Sequence, residues 1–121
     1  MERPYRHLAV QRHGDVFCVR LTTRQMHETE IIELADELVS LVIDEGCRKM
    51  ALSLGPEAPD CLYSIFLAKL VMVRRRMREC GGAMKLCDVP AQVLGIFEAC
   101  RLKDHFEFVS DQNAAIAALN L

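Results

Sequence analysis

The chain has 121 residues, the length of one compact domain, and 51% of them are apolar, which supplies a core and argues against disorder. The net charge of −2 does not favour nucleic acid as a partner. The length leads us to expect one domain over residues 1–121. No apolar run approaches the roughly 20 residues that span a bilayer, so we expect no membrane contact.

The six cysteines indicate neither a metal site nor a disulfide framework. None forms a C-x-x-C pair, and the gaps between them are long and irregular, so the spacing of zinc ligands is absent. The first six residues lack the apolar core of a secretory signal, which favours the cytoplasm. In that reducing compartment we expect most of the thiols to be small buried side chains, as at Cys18 and Cys87 inside predicted strands.

The first half of the chain predicts a β-hairpin followed by an acidic helix. Two predicted strands, Leu8–Arg12 and Val16–Leu21, flank a Gly-Asp turn. A helix is predicted over Glu28–Glu45, and Gly46 ends it. Its apolar residues share one helical face: Ile31, Leu34, Ala35, Leu38, Leu41 and Val42. The other face is acidic and carries no Lys or Arg.

The second half predicts three strand–helix units. Strand Lys49–Leu54 leads into the loop Gly55–Pro59, whose two prolines exclude regular pairing. The second helix begins at about Asp60 or Ser64 and ends at Cys80; its cations are Lys69, Arg74, Arg75, Arg76 and Arg78. The remaining predicted elements are strand Met84–Cys87, a helix from Pro90 to about Cys100, strand Phe106–Val109 and helix Gln112–Leu119.

The element order ββαβαβαβα predicts an α/β fold. We expect a mixed sheet of about five strands with most helices packed on one side. Ligands and partners of such sheets often bind where a strand gives way to a helix N-terminus. The junction Ala58–Leu70 is therefore the first place to look for a functional site.

At this junction the chain reads Tyr63-Ser64-Ile65-Phe66-Leu67-Ala68, and Gly81-Gly82 and Phe106–Val109 follow further on. This arrangement resembles the STAS domain, the fold of anti-sigma-factor antagonists and of sulfate-transporter tails. The second helix of that family usually opens with Asp-Ser-Ser-Gly-Leu-Gly after a strand and a short loop. The similarity extends over nearly the whole chain and implies a STAS-like mixed sheet.

The resemblance implies a regulatory protein-binding domain that catalyses nothing and needs no cofactor. Ser64 aligns with the serine that family kinases phosphorylate. The implied partner is an anti-sigma factor or a related serine kinase, whereas nucleic acid and membrane are not implied and the oligomeric state stays open. The residues expected at the partner surface are Asp60, Cys61, Tyr63, Ser64 and Phe66. Tyr63 and Phe66 either form an exposed aromatic patch or pack against the sheet, and packing is the favoured interpretation for Phe66.

Two alternatives concern Ser64 itself. The serine could be only a helix cap, or a hydroxyl inside the first turn with Asp60 as the cap. Tyr63 also replaces the aspartate of the family pattern, and the later serine and glycines are replaced as well. Those differences favour a degenerate scaffold that binds its partner constitutively, without phosphorylation.

A third alternative is a small enzyme or ligand carrier that uses the same loop. Cys61 lies in that loop, where a helix terminus can lower a thiol pKa. A catalytic cysteine needs a base, however, and the four histidines are scattered along the sequence. The sequence contains no glycine-rich phosphate loop and no carboxylate pair with a catalytic pattern.

The charged faces of the first two helices are expected to be mostly solvent-exposed. The basic cluster Arg74–Arg78 is open to three interpretations: a solvated helix face, a site for an acidic partner or a phosphate, or a surface paired with the acidic first helix.

Overall fold

The structure is a computed structural model that describes residues 5–121. The expectation that the N-terminus is not a secretory signal falls partly on residues 1–4, which lie outside the described residues. The strands are β1 (Leu8–His13), β2 (Val16–Leu21), β3 (Gln25–Met26), β4 (Lys49–Ser53), β5 (Asp60–Cys61), β6 (Ala83–Cys87) and β7 (Glu107–Phe108). The helices are α1 (Glu28–Ile43), α2 (Tyr63–Glu79), α3 (Ala91–Ala99) and α4 (Gln112–Leu119), with a short 3-10 turn at Lys103–His105.

Five strands form one mixed sheet in the order β1-β2-β4-β6-β7. The β1–β2 hairpin is antiparallel, and every later pairing in this sheet is parallel. The predicted mixed sheet and its order of strands and helices are therefore confirmed. The sequence analysis did not predict β3 and β5. In the structure these two strands pair with each other in a separate two-stranded ladder. Each has only two residues, too few for apolar and polar positions to alternate visibly.

The sheet carries helices on both faces, three on one side and one on the other. Along β4, Met50 and Leu52 belong to the main core with α1, α2 and α3, whereas Ala51 belongs to a smaller core with α4. All six apolar positions predicted for the first helix are buried. Within residues 5–121, no helix combines the length and the apolar composition needed to cross a membrane.

The acidic face of α1 is less exposed than predicted, because part of it holds the segment that leads into β1. The Glu37 carboxylate accepts hydrogen bonds from the backbone N–H groups of Arg6 and His7, at 2.8 and 3.0 Å. Glu33 pairs with the Arg6 guanidinium at 3.0 Å, and Glu45 pairs with a β1 side chain, that of Arg12. Among residues 5–121 no ion pair joins α1 to α2. The interpretation that the basic cluster Arg74–Arg78 pairs with the acidic face of α1 is therefore wrong.

Hydrogen bonds join the C-terminal ends of β4 and β6 at the point where the loop Gly55–Pro59 begins. The Ser53 hydroxyl donates to Asp88 Oδ2 at 2.8 Å, and the Leu54 N–H donates to the Cys87 carbonyl at 3.1 Å. Gly55 then passes so close to Asp88 that a Cβ atom on Gly55 would overlap the Asp88 carbonyl oxygen. This contact directs the loop away from the sheet and toward α2.

Replacing Gly55 with alanine should therefore destabilise the domain. Overlap with a backbone atom forces a shift of main chain, and overpacking of this kind costs about 1–3 kcal/mol. The matched control is Gly95→Ala in α3, where a Cβ atom meets nothing within 4 Å and alanine should add about 0.5–1 kcal/mol of helix stability. Urea denaturation measures both changes in the free energy of unfolding. Equal stability of the two variants would contradict the assigned contact.

Candidate partner-binding site

The ladder of β3 and β5 places the N-termini of α1 and α2 side by side. Gln25 pairs with Asp60 and Met26 with Cys61 in parallel register. Each helix begins two residues after its strand ends, at Glu28 for α1 and at Tyr63 for α2. Asp60 thus belongs to a strand, and its backbone N–H donates to the Arg24 carbonyl at 2.7 Å.

A surface cleft of about 310 Å³ lies between these two helix starts. It is lined by Gln25, Met26, His27, Glu28, Asp60, Cys61 and Leu62. Leu62 is 60% exposed, which makes it the prominent apolar group of the junction. The sequence analysis missed Leu62 as a contact residue. The signal that could have identified Leu62 is its place immediately before a helix, because that place is normally occupied by Ser, Thr, Asp or Asn rather than by leucine.

Ser64 is exposed and is the second residue of α2. The N-cap is Leu62, so the interpretation of Ser64 as the cap is wrong. The prediction that Ser64 lies inside the first turn is confirmed, whereas Asp60, expected to be the cap in that case, does not cap the helix. The Leu62 carbonyl accepts from the N–H groups of Ile65 and Phe66, at 3.1 and 3.0 Å. The N–H groups of Tyr63 and Ser64 precede the first intrahelical donors, as in any helix start.

The first turn of α2, like that of α3, lacks the negative partner that α1 and α4 have. No side chain caps α2, and its first turn contains no acidic residue. By contrast, α4 is capped by Asp111, whose carboxylate accepts from the Ala114 N–H at 2.8 Å. The first turn of α1 contains Glu28 and Glu30. The N-terminal end of the α2 dipole is thus left without a counter-charge from its own first turn.

The packing alternative favoured for Phe66 is confirmed, so an exposed aromatic patch of Tyr63 and Phe66 is wrong. Phe66 is 1% exposed and packs in the main core, because it falls on the same helical face as Leu67 and Leu70. Tyr63 is half-buried, and its ring meets Phe66 edge to face at 5.8 Å between centroids. Its hydroxyl donates to the Pro59 carbonyl. Tyr63 therefore connects the loop Gly55–Pro59 to α2. Burial raises the pKa of the Tyr63 hydroxyl to about 12.

Cys61 is half-buried and is one of the residues that line the cleft. Burial, with a smaller effect from the Asp60 charge, raises the pKa of its thiol to about 11. The protonated thiol is a poor nucleophile, so the geometry gives no support to a cysteine enzyme. Among residues 5–121, no group of three or more His, Cys, Asp and Glu side chains is arranged to hold a metal ion.

Thiol labelling should separate Cys61 from the exposed Cys100. At pH 8 only about one Cys61 side chain in a thousand would be ionised, because its pKa lies about three units higher. We expect iodoacetamide to modify Cys100 first and Cys61 slowly, with the Cys61 rate still rising from pH 7 to 9 because its thiol stays mostly protonated there. Peptide mass mapping at timed intervals measures both rates, and protein unfolded in urea is the control. Labelling of Cys61 as fast as that of Cys100 in the folded protein would refute the assigned burial.

The arginines of α2 form two groups. Arg74 is half-buried, with its guanidinium 5.9 Å from the centre of the Phe106 ring, and burial with the nearby Arg78 charge lowers its pKa. Arg75, Arg76 and Arg78 are exposed, as predicted. Within residues 5–121 none of these four arginines forms an ion pair with a carboxylate.

Comparison with known proteins identifies the fold through structure, since no family profile and no curated protein matches the sequence. The chain is similar to TM1081 of Thermotoga maritima, described as an anti-sigma factor antagonist, with a TM-score of 0.79, 15% identity and coverage of 94% of this chain and 95% of that one. A STAS domain protein from Planctomyces limnophilus has a TM-score of 0.73 and 21% identity, over 91% of this chain and 95% of its own.

The anti-sigma factor antagonist SpoIIAA is similar in both of its forms. The unphosphorylated form has a TM-score of 0.70 and 8% identity, over 93% of this chain and 97% of its own. The phosphorylated form, from Bacillus, has a TM-score of 0.61 and 9% identity, over 92% and 98%. At these identities the agreement concerns architecture, and it extends over nearly the full length of each chain. The chain described here therefore has the fold of the STAS domains, the fold shared by these anti-sigma-factor antagonists.

Proposed function

We propose that this domain is a regulatory protein-binding module of the anti-sigma-factor antagonist type, and that phosphorylation of Ser64 controls its binding. The partner would be an anti-sigma factor or a related serine kinase, and the contact surface would be the cleft between the starts of α1 and α2. The observation that carries the proposal is the exposure of Ser64 on a helix start that has no counter-charge in its first turn.

A phosphate on Ser64 would meet favourable electrostatics inside the domain. It adds about −1.5 to −2 charges at neutral pH and three acceptor oxygens. The N–H groups at the beginning of α2 and the positive end of its dipole favour an anion there. No acidic side chain of the first turn competes for those donors, which favours an anion on Ser64 in the folded domain.

The same phosphate would be unfavourable for a bound partner. Asp60 and Glu28 already line the cleft, and a phosphate on Ser64, two residues after the cleft residue Leu62, would add further negative charge beside it. Leu62 offers the apolar contact, and desolvating a phosphate next to an apolar interface is costly. Phosphorylation is therefore expected to release the partner. SpoIIAA, with structures in unphosphorylated and phosphorylated forms, supports the idea that this fold accommodates such a switch.

The proposal assigns no catalysis to the domain itself. The protonated Cys61 and the hydrogen-bonded Tyr63 are unsuited to nucleophilic or general-base roles. We further propose a cytoplasmic location and a role in transcription regulation. The free state of all six cysteines supports a reducing compartment.

Three forms of the protein test the switch. Ser64→Ala should keep the fold and partner binding, because Ser64 is not the N-cap and no cap hydrogen bond is lost. Ser64→Asp should weaken binding, although one carboxylate imitates phosphate poorly. Incubation with the cognate kinase and ATP should add one phosphate to wild type and none to Ser64→Ala, as measured by intact mass.

The constitutive scaffold is the second candidate, and Tyr63 favours it. Tyr63 stands where the family pattern has aspartate and is used instead to anchor the loop to Pro59. That candidate predicts equal partner affinity for wild type, Ser64→Ala and Ser64→Asp. Equal phosphorylation of wild type and Ser64→Ala would likewise exclude the switch.

Partner binding, with or without a switch, should depend on Leu62. Truncating this exposed side chain in Leu62→Ala removes apolar contact area from the cleft, and at about 0.8 kcal/mol per buried CH2 group we expect a loss of about 1–2 kcal/mol of binding free energy. Calorimetric titration of the partner measures the loss. The matched control is Ile43→Ala, which truncates an exposed apolar residue at the far end of α1. Unchanged affinity of Leu62→Ala would remove the cleft from the proposed interface.

A further inference from the structure

The side chain of Arg74 lies at the edge of the buried face of α2. Leu70, four residues earlier, and Met77, three residues later, belong to the main core, and Arg74 between them is half-buried. Its guanidinium lies 5.9 Å from the centre of the ring of Phe106, which is itself buried. The negative end of a helix dipole acts within the last turn. Because Arg74 precedes that turn, the dipole does not account for a cation here.

Arg78 adds a second positive charge at the same place. It follows Arg74 by four residues, so the two side chains are neighbours in one row along the helix, with Cβ atoms about 5–6 Å apart. Burial and, to a smaller extent, the charge of Arg78 lower the pKa of Arg74. Like charges at this spacing lower the stability of a helix. We call Arg74 and Arg78 the arginine pair, and an anion bound between the two guanidinium groups would relieve their repulsion.

The described chain supplies no carboxylate to neutralise the arginine pair. Glu79 is the only acidic residue of α2, and it follows Arg75 by four residues, which places it in a different row. The carboxylates of Glu98 and Glu107 each pair with a lysine. Asp104 is exposed in the 3-10 turn, and within residues 5–121 neither guanidinium of the pair forms an ion pair with any carboxylate. The pair is therefore a positive site without a counter-charge.

We propose that the arginine pair is a binding site for a doubly charged phosphate group. A guanidinium group presents its N–H donors as a planar fork that matches phosphate oxygens bidentately. Two forks side by side suit a group with three terminal oxygens and two negative charges, whereas a carboxylate is satisfied by one fork. The Phe106 ring beside Arg74 excludes water from one side of the site, and a hydrogen bond to an anion is stronger where water is excluded.

This site is independent of the proposed switch at Ser64. Ser64 precedes Arg74 by ten residues, which is about 15 Å along the helix axis and about 80° around it. A phosphate on Ser64 of the same chain therefore does not reach the arginine pair. Inorganic phosphate and a phosphorylated side chain of another molecule present the same dianion, and the experiment distinguishes these two sources.

NMR of the arginine Nε–H groups during ligand titration tests the site. The ligands are sodium phosphate, N-acetyl-phosphoserine amide and sodium acetate, each added at neutral pH and constant ionic strength. A phosphate ligand should shift the Arg74 and Arg78 signals to a saturating value, and the phosphate ligand with the lower dissociation constant identifies the source. Acetate should bind at least tenfold more weakly. The proposal is overturned if neither phosphate ligand gives a saturating shift, or if acetate binds as tightly as phosphate.

Substitutions locate the site on α2. Arg74→Gln and Arg78→Gln should each raise the dissociation constant of the tighter phosphate ligand at least tenfold, because one fork is lost. Arg74→Lys keeps the charge without the fork and should give an intermediate value. The matched control is Arg76→Gln, which removes the same charge from an exposed residue on the opposite side of the helix and should change the dissociation constant less than twofold.

Two further measurements keep the result unambiguous. Backbone amide spectra report whether each variant is folded, and the exposed Arg78 can be replaced without touching the core. Ser64→Ala should bind phosphate as wild type does, so failure of the switch and failure of this site are distinguishable. If Arg76→Gln weakens binding as much as Arg74→Gln and Arg78→Gln do, the attraction belongs to the basic helix as a whole and the assigned site is wrong.

Discussion

The structure depends on β4, a strand buried on both faces between two unequal cores. Its residues alternate, with Met50 and Leu52 toward three helices and Ala51 toward α4. The small side chain lets the alanine-rich α4 approach closely, while the larger residues support α1 and α2 at helix-packing distance. Because β4 is central, its end determines where the next connection begins. The hydrogen bond and the close packing of that end against Asp88 direct the loop Gly55–Pro59 toward β5. As a result, α2 begins beside α1.

Long periodic elements could be predicted from the sequence, whereas short elements fixed by tertiary contacts could not. The strands of the main sheet and the buried face of α1 follow from alternation and from helical spacing. The β3–β5 ladder has two residues per strand, so only the fold brings it together. Phe66 shows the same limit at the site. Its position in the motif left exposure and packing open, and the helical phase of α2 directs it into the core.

Charge placement shows how partners in space override patterns in sequence. The carboxylates of α1 follow one another along the chain and suggest a solvated face. In the structure Glu33 and Glu37 instead bind the segment before β1, and Glu37 accepts two successive backbone N–H groups that have no strand partner on that side. The backbone N–H of the buried His7 needs an acceptor, and the segment before the edge strand β1 obtains one from α1. The acidic residues left over, such as Asp36, are those that face outward.

The contrast between the starts of α2 and α4 bears most directly on function. A helix start normally obtains a side-chain acceptor, and α4 has one in Asp111. At α2 the cap position is taken by Leu62, which places an apolar group on the surface and leaves the helix dipole without a counter-charge in its first turn. Both features lower the stability of the isolated domain. Both also suit a surface that is regulated by a bound partner or by phosphorylation. A bound partner covers the leucine, and a phosphate on Ser64 supplies the missing charge. The two events compete because each would satisfy a different part of the same helix start.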